Sequence, residues 1–223
     1  MAAREGSYGQ YCPISRALEV LAERWSLLIV RDMLCGSTRF NDLARGNPGL
    51  SRSLLSKRLR QLEQAGVVER LDGEYVLTEA GEALRPIVFS LGDWGARWQF
   101  GDPREHELDP ELLLWWIRDR LDFSAFPDRR IVLHFVFTDE RRRFWIVKDA
   151  TGPSLCTADP GFEIDLAFRS ALATLYAVWL GRRELPAAVR DGSIDVIGAP
   201  AMVRRVPRLL LLSPVSELVA ATV

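Results

Sequence analysis

The side chains with the clearest chemistry are four cations in residues 51–66, "SRSLLSKRLRQLEQAG". Arg52, Lys57, Arg58 and Arg60 all precede the first acidic residue of this stretch, Glu63. Guanidinium and ammonium groups donate charge-assisted hydrogen bonds to phosphate, and arginine also pairs with the edge of guanine. The whole chain has a formal net charge of only -1, so the positive charge is local. The pattern predicts a polyphosphate-binding surface, and the alternative is a charged face that only keeps a helix soluble.

Groups suited to catalysis are scarce. His106 lies in a polar segment and His134 in an apolar run, and the sequence contains no His-x-x-x-His pair, glycine-rich phosphate loop or nucleophile elbow. The three cysteines show no Cys-x-x-Cys spacing, which indicates neither a disulfide framework nor a zinc site. We predict no catalysis, no cofactor and no metal. An enzyme that depends on His134 is the alternative hypothesis.

Length and composition indicate a globular chain. With 223 residues, 48% hydrophobic and 26% charged, it can form one large domain or two smaller ones. No apolar run approaches the roughly 20 residues of a membrane span, and the N-terminus lacks a secretory pattern. We therefore predict a cytoplasmic protein without membrane insertion, which would be associated with the nucleoid if its local cations bind DNA. The Pro-, Gly- and charge-rich segment "QFGDPREHELDP" predicts domains at 1–98 and 111–223, joined by a linker at 99–110.

The first domain shows helical spacing that is interrupted by turn signals. Apolar residues predict two helices in residues 14–35, a third capped by Thr38, and a fourth that begins after the turn "NPGLS" at the cap Ser51. A hairpin at Asp72-Gly73 and a last helix, "GEALRPIVFSLGDWGARW", follow. Two helices joined by a Pro-Gly turn and followed by a hairpin predict a winged helix-turn-helix.

The fourth helix has the pattern of a DNA-recognition helix. Its leucines 55, 59 and 62 form one apolar stripe, and its cations lie away from that stripe, where they can enter the major groove. The candidate DNA-binding residues are Arg39, Ser51, Arg52, Ser53, Ser56, Lys57, Arg58, Arg60 and Arg70.

Three segments carry a resemblance over residues 12–98: "CPISRALEVLAERWSLLIVRDMLCGSTRFNDLA", "LSRSLLSKRLRQLEQAGVVER" and "YVLTEAG". In this order they resemble the HxlR family of bacterial winged-helix transcriptional regulators. The resemblance implies a homodimer, held by the first and last helices of the domain, that reads a palindromic operator in double-stranded DNA. The dimerisation residues that it implies are Leu84, Ile87, Val88, Leu91 and Trp94.

Two features of the resemblance bear on mechanism. The hairpin is shorter than is usual in the family, and Arg70 is its sole cation, which weakens the expectation of minor-groove contact. Cys12 matches a cysteine near the N-terminus that some family members use to sense oxidants or electrophiles. A thiol-based repressor acting through Cys12 is therefore an alternative hypothesis, beside that of a small packed residue.

The second domain mixes strands and helices and is rich in aromatic residues. The runs "RIVLHFVFT", "RFWIVKD", "FEIDLAFR" and "SIDVIG" predict strands, and helices are predicted at 112–121, 170–180, 186–190 and 201–212. The aromatic side chains either fill a core or line a ligand cavity. The candidate ligand-binding residues are Trp115, Trp116, Phe135, Phe137, Trp145, Phe168, Tyr176 and Trp179.

The C-terminal stretch "IDLAFRSALATLYAVWLGRRELPAAVRDGSIDVIGAPAMVRRVPRLL" is similar to a sterol carrier protein type 2 domain. The similarity implies a mainly antiparallel five-stranded sheet with helices over one face and an apolar tunnel for lipids. The complete chain is thus expected to have an α+β fold and to be a transcriptional regulator modulated by a lipid or another apolar effector. A lipid carrier is the alternative.

Overall fold

The computed structural model describes residues 7–220, and their contacts divide the chain into two compact units, one ending at Leu91 and the other starting at Gly92. The domain limits 1–98 and 111–223 and the linker at 99–110 stay predictions. Across residues 7–220, no helix combines the length and the apolar character needed to cross a bilayer.

The first unit follows the predicted order of elements. Its core consists of leucines from three of its helices together with Ile29, Val30 and the start of the hairpin. The elements are α1 (Pro13–Leu21), α2 (Ser26–Leu34), α3 (Phe40–Gly46), α4 (Arg52–Gln64), β1 (Val68–Leu71), β2 (Glu74–Leu77), α5 (Glu79–Glu82) and the start of α6 (Arg85–Trp98).

The helix starts show which cap predictions were right. The side-chain oxygen of Ser51 accepts a hydrogen bond from the Leu54 N–H at 3.3 Å, which confirms the predicted cap of α4. The predicted Thr38 cap of α3 is wrong, because that helix begins at Phe40 after Arg39, and no side chain caps it. The Thr38 carbonyl instead accepts a hydrogen bond from the Tyr75 N–H, which fastens the hairpin to the helices.

The second unit is a five-stranded sheet with helices packed on one face. Its elements are a 3-10 turn (Glu105–Glu107), α7 (Pro110–Arg118), β3 (Ile131–Phe137), β4 (Arg143–Asp149), β5 (Gly152–Cys156), β6 (Leu166–Ser170), α8 (Leu172–Trp179), α9 (Leu185–Arg190), β7 (Ile194–Gly198), α10 (Pro200–Val203), a second 3-10 turn (Val206–Arg208) and α11 (Ser216–Ala220). The α+β class is confirmed, but the single helix predicted at 201–212 is wrong, because α10 and the second 3-10 turn occupy that segment.

The sheet order is β5-β4-β3-β6-β7. Strands β3 and β6 pair in parallel, while the other neighbours pair antiparallel. The sheet is therefore mixed, and the prediction of a mainly antiparallel sheet is corrected. The physical reason is the chain path: β4, β5 and a long loop separate β3 from β6, so the chain returns to the β3 edge in the same direction.

Candidate nucleic-acid interface

Helix α4 separates an apolar side from a polar side. Leu55, Leu59 and Leu62 are at most 1% exposed and anchor the helix to the core of the first unit. At 100° per residue, the polar side chains of the opposite side fall within an arc of about 140°. These are Arg52, Ser53, Ser56, Lys57 and Arg60, of which only Ser56 is half-buried and the others are exposed.

Arg52 is oriented by helix α3. Its Nη2 donates a hydrogen bond to Asn41 Oδ1 at 2.7 Å, and its guanidinium lies 5.0 Å from the ring centroid of Phe40. A guanidinium held in this way loses less side-chain entropy when it binds. Asn41 was missed as a site residue by sequence reasoning, although it stands in the segment that carried the family resemblance.

Lys57 and Arg60 extend the positive surface along α4. Arg60 Nε donates to the Ser56 carbonyl of its own helix at 3.3 Å, and this leaves the end of its guanidinium exposed. Lys57 is exposed and makes no hydrogen bond or ion pair with the residues that the structure describes. These two cations can bind a phosphate without first breaking an ion pair with an acidic residue.

Arg58 does not belong to this surface, and its prediction is corrected. Its side chain is buried, at 7% exposure. Its Nε donates a hydrogen bond to the Arg24 carbonyl at 3.0 Å, and its Nη1 donates one to Gln61 Oε1 at 2.7 Å. Its Nη2 forms an ion pair with Glu23 Oε2 at 2.5 Å. The guanidinium thus ties α4 to the segment between α1 and α2. The sequence already indicated this position, because at 100° per residue Arg58 lies about 240° around the helix from Arg52, beside the leucine stripe.

Buried hydrogen bonds and a close ring contact hold the turn before α4 in place. Asn47 is 2% exposed, and its Nδ2 donates to Asp32 Oδ2 at 2.6 Å and to the Leu43 carbonyl at 2.9 Å. A Cβ on Gly49 would lie 3.0 Å from the Trp25 ring, so glycine permits the close approach of turn and indole. Burial raises the pKa of Asp32, against the opposing effects of Arg31 and Asn47.

The hairpin offers less positive charge than α4. Asp72 and Gly73 have φ values of 50° and 87°, which confirms the predicted tight turn. Arg39 Nε lies 2.9 Å from Glu74 Oε1, and the Arg39 hydrogen bond lowers the pKa of Glu74. Arg70 lies over the Tyr75 ring at 5.5 Å. Both candidate arginines of this region therefore have a partner within the protein.

The side chains predicted to form a dimer interface divide into two groups. Ile87, Leu91 and Trp94 are each half exposed, at 51%, 50% and 54%. Leu84 and Val88 instead pack against the core of the first unit. An apolar groove of about 440 Å³ lies in the first unit and is lined by Pro13, Ile14, Ala17, Leu18, Leu21, Ala22, Leu27, Ile87 and Leu91.

Cys12 occupies the N-cap position of α1 and is half-buried. Hydrogen bonds from the backbone N–H groups of Ser15 and Ile14 lower the pKa of its thiol. Its environment therefore favours the thiolate. Cys35, by contrast, is exposed.

The eight candidate ligand-binding aromatics do not converge on one site. Six of them pack into or against the main core of the second unit, where the rings of Phe135 and Phe168 stack at 5.1 Å. Trp115 is also buried, and Arg118 Cζ lies 5.4 Å from its ring centroid. Tyr176 Oη donates to the Asp109 carbonyl at 3.0 Å, and burial raises its pKa to about 12. Trp145 lies in a separate cluster with Val132 and Val147, so its grouping with the others is corrected. Trp145 alternates in β4 with Phe144 and Ile146, which belong to the main core, so the strand pattern already indicated that it lies on the other face of the sheet.

A turn between two helices, a polar outer side on the second helix and a following hairpin define a winged helix-turn-helix protein of the DNA-binding class. Residues 20–102 match the family model described as HxlR-like helix-turn-helix. The HTH-type transcriptional regulator YvaP of Bacillus subtilis is 39% identical over 97 residues, which make up 40% of this chain and 90% of that relative. The chain belongs to the HxlR-like helix-turn-helix family of transcriptional regulators, and the predicted family resemblance is confirmed.

Two further proteins have comparable sequence identity to this chain. The HTH-type transcriptional regulator Rv3095 of Mycobacterium tuberculosis is 44% identical over 89 residues, 37% of this chain, and the match spans about half (56%) of that relative. The solved structure of quinone-bound YodB from B. subtilis is 32% identical, with 39% of this chain and 99% of that chain covered at a TM-score of 0.36. Because the family consists of transcriptional regulators, the prediction that the chain is not an enzyme is confirmed.

Proposed function

We propose that this chain is a sequence-specific transcriptional regulator that binds a palindromic operator as a homodimer in the cytoplasm, on the chromosome. The observation that carries the proposal is the polar side of α4, where Arg52, Lys57 and Arg60 are exposed on one arc of a helix anchored by buried leucines. An α-helix of this kind fits the major groove of B-DNA.

The contacts of each cation suggest its role at the operator. Arg52 is held by Asn41 and Phe40, so it can present a fixed fork of donors to a guanine edge. Lys57 and Arg60, with the hydroxyls of Ser51, Ser53 and Ser56, are suited to phosphates. Arg39 and Arg70 lie further out and keep their protein partners, so we assign them weaker phosphate contacts.

A second copy of the chain is the partner that the apolar groove of the first unit suits best. Its lining residues come from α1, the start of α2 and α6, and several of them are exposed, including Ile14 at 70% and Leu18 at 43%. Covering such a surface removes apolar area from water. In a two-fold dimer the two α4 helices would then face successive major grooves.

The proposal includes regulation by the second unit. A lipid or another apolar molecule bound beside its aromatic core, where Trp116 is only half-buried, would act as the effector. Such an effector changes operator binding only if it binds the DNA-competent and incompetent states with different affinity. The sterol-carrier likeness of this unit stays part of the proposal.

A thiol switch at Cys12 is the second candidate mode of regulation, and the lowered pKa of this thiol favours it. In the Cys12→Ser protein, oxidant should no longer change operator occupancy, while basal binding persists. Retention of the full oxidant response in this variant would exclude the thiol switch.

The test of operator binding is selection of bound sequences from random duplexes, followed by affinity measurement on the consensus. We expect a symmetric consensus, and Arg52→Ala should lose about 1–3 kcal/mol at one base position in each half-site. The matched control is Arg141→Ala, which removes an exposed arginine from the second unit and should leave affinity unchanged. Failure to enrich any sequence, or equal effects of the two variants, would exclude the proposal.

A further inference from the structure

Lysine is almost absent from this chain. Of its 29 lysines and arginines, only Lys57 and Lys148 are lysines. The other cations are guanidinium groups, which stay protonated in proteins and therefore do not act as nucleophiles. The reactive amines of the side chains are thus confined to these two positions.

The two lysines differ in their surroundings. Lys148 on β4 lies 3.4 Å from Asp128 Oδ1, and its side chain is only 21% exposed. Lys57 on α4 is exposed, and no hydrogen bond or ion pair joins it to another of residues 7–220. An amine in an ion pair must leave its partner before it can react. Lys57 therefore presents the more accessible and the less restrained amine.

Lys57 has an anion-binding group one turn further along its helix. Residues three apart on an α-helix are neighbours, with Cβ atoms about 5–6 Å apart, so Arg60 stands beside Lys57. Arg60 is exposed, and within the described residues its guanidinium is engaged only through Nε, which donates to the Ser56 carbonyl at 3.3 Å. Its two terminal nitrogens are therefore available to the phosphoryl oxygens of a small molecule. The reactive carbon of such a molecule then lies within reach of Lys57 Nζ.

We propose that Lys57 is a site of Nζ-acylation by small acyl phosphates, of which acetyl phosphate is the simplest. The unprotonated amine attacks the acyl carbon, so that a C–N bond forms and the C–O bond to the phosphate breaks with its electron pair on oxygen. The amine gives one proton to water, inorganic phosphate leaves, and nothing is oxidised or reduced. The acyl phosphate is the only co-reactant, and Arg60 holds its phosphoryl group beside the amine.

Acylation of Lys57 changes the charge of the α4 surface. It converts an ammonium into a neutral amide and so removes one of the three exposed cations, Arg52, Lys57 and Arg60, to which we assign DNA binding. Because each phosphate contact releases a counterion, each lost contact lowers affinity by about fivefold at about 0.15 M salt. This regulatory consequence rests on the proposed function, whereas the acylation itself requires no DNA.

The chemical test treats the full chain with acetyl phosphate and follows each lysine by mass spectrometry of its peptides. Lys57 should be acetylated about fivefold or more faster than Lys148, because Lys57 has no ion pair to break. Equal rates at the two lysines, or a faster rate at Lys148, would overturn the proposal.

A variant of the neighbouring arginine tests how the donor is bound. Arg60→Gln should slow acetylation of Lys57 by acetyl phosphate about threefold and leave Lys148 unaffected, because the phosphoryl group loses its partner. Arg141→Gln, an exposed arginine of the second unit, is the matched control and should change neither rate. With the neutral donor N-hydroxysuccinimidyl acetate, Arg60→Gln should have no effect at Lys57. An equal effect of Arg60→Gln with both donors would contradict phosphoryl binding by this residue.

The regulatory test measures affinity for the selected consensus duplex by fluorescence anisotropy, before and after treatment with acetyl phosphate. Once Lys57 is acetylated, affinity should fall about fivefold or more in the wild type and in Lys148→Arg. In Lys57→Arg, which keeps a positive charge but offers no amine, affinity before and after treatment should be equal. Unchanged affinity of the acetylated wild type, or an equal fall in Lys57→Arg, would overturn the regulatory inference. Absence of operator binding in the untreated wild type would instead refute the proposed function, and the peptide rates would still decide the acylation.

Discussion

The two units present their polar groups in opposite ways. On α4 the cations are exposed, and neighbouring residues orient them without neutralising them. In the second unit, His134 Nε2 and Trp145 Nε1 are buried and lack partners among the described residues. Charge at the surface suits a large, hydrated polyanion, whereas a buried polar group without a partner costs stability. Exposure therefore marks a candidate binding surface on α4, and unsatisfied burial marks a local cost to stability in the second unit.

The largest expected effect tests the exposed side. The double variant Lys57→Gln/Arg60→Gln should weaken binding to specific and non-specific DNA alike, and lower the slope of log affinity against log salt by about one for each phosphate that the variant no longer binds. Fluorescence anisotropy over a salt series measures both quantities. An unchanged salt slope would contradict the assignment of these cations to phosphate.

Arg58→Ala sharpens the contrast within α4 itself. We expect it to lower the free energy of unfolding by about 1–3 kcal/mol, because the Arg24 carbonyl and Glu23 are deprived of a buried partner. Arg52→Ala, its matched control on the outer side, should change stability by no more than about 0.5 kcal/mol. Urea unfolding of both proteins makes the comparison, and a larger loss of stability in Arg52→Ala would contradict it.

A smaller effect concerns the buried carboxyl behind the turn. Burial raises the pKa of Asp32 above its ordinary value of 3.8, so the folded state holds this proton more tightly than the unfolded state. Ionisation of Asp32 therefore lowers stability as pH rises through the interval between the unfolded and folded pKa values. In urea unfolding, the stability of Asp32→Asn relative to wild type should therefore increase as pH rises above the ordinary pKa of 3.8. A difference independent of pH would count against this.

Local patterns predicted what depends on local chemistry. The leucine spacing predicted the buried stripe of α4, Ser51 predicted its cap, and Asp72-Gly73 predicted the hairpin turn, each because neighbouring residues alone decide the structure. Contacts between distant segments were not predictable in this way. Asn41 holds Arg52 from another helix, and β3 meets β6 after a separation of many residues. Trp145 was grouped with the other candidate aromatics by residue type alone, although its alternation with Phe144 and Ile146 in β4 indicated the opposite face of the sheet.

The smallest expected effect probes the buried nitrogens. His134→Phe keeps a ring stacked on Trp145 and removes one polar atom that has no partner within residues 7–220. Replacing an unsatisfied buried group with an apolar ring should leave stability unchanged or raise it by up to about 1 kcal/mol, whereas a core histidine with a structural hydrogen bond would lose stability. Thermal or urea unfolding decides between these outcomes. A clear loss of stability would show that folding of the second unit depends on the imidazole, and unsatisfied burial would then no longer distinguish His134 from the exposed cations of α4.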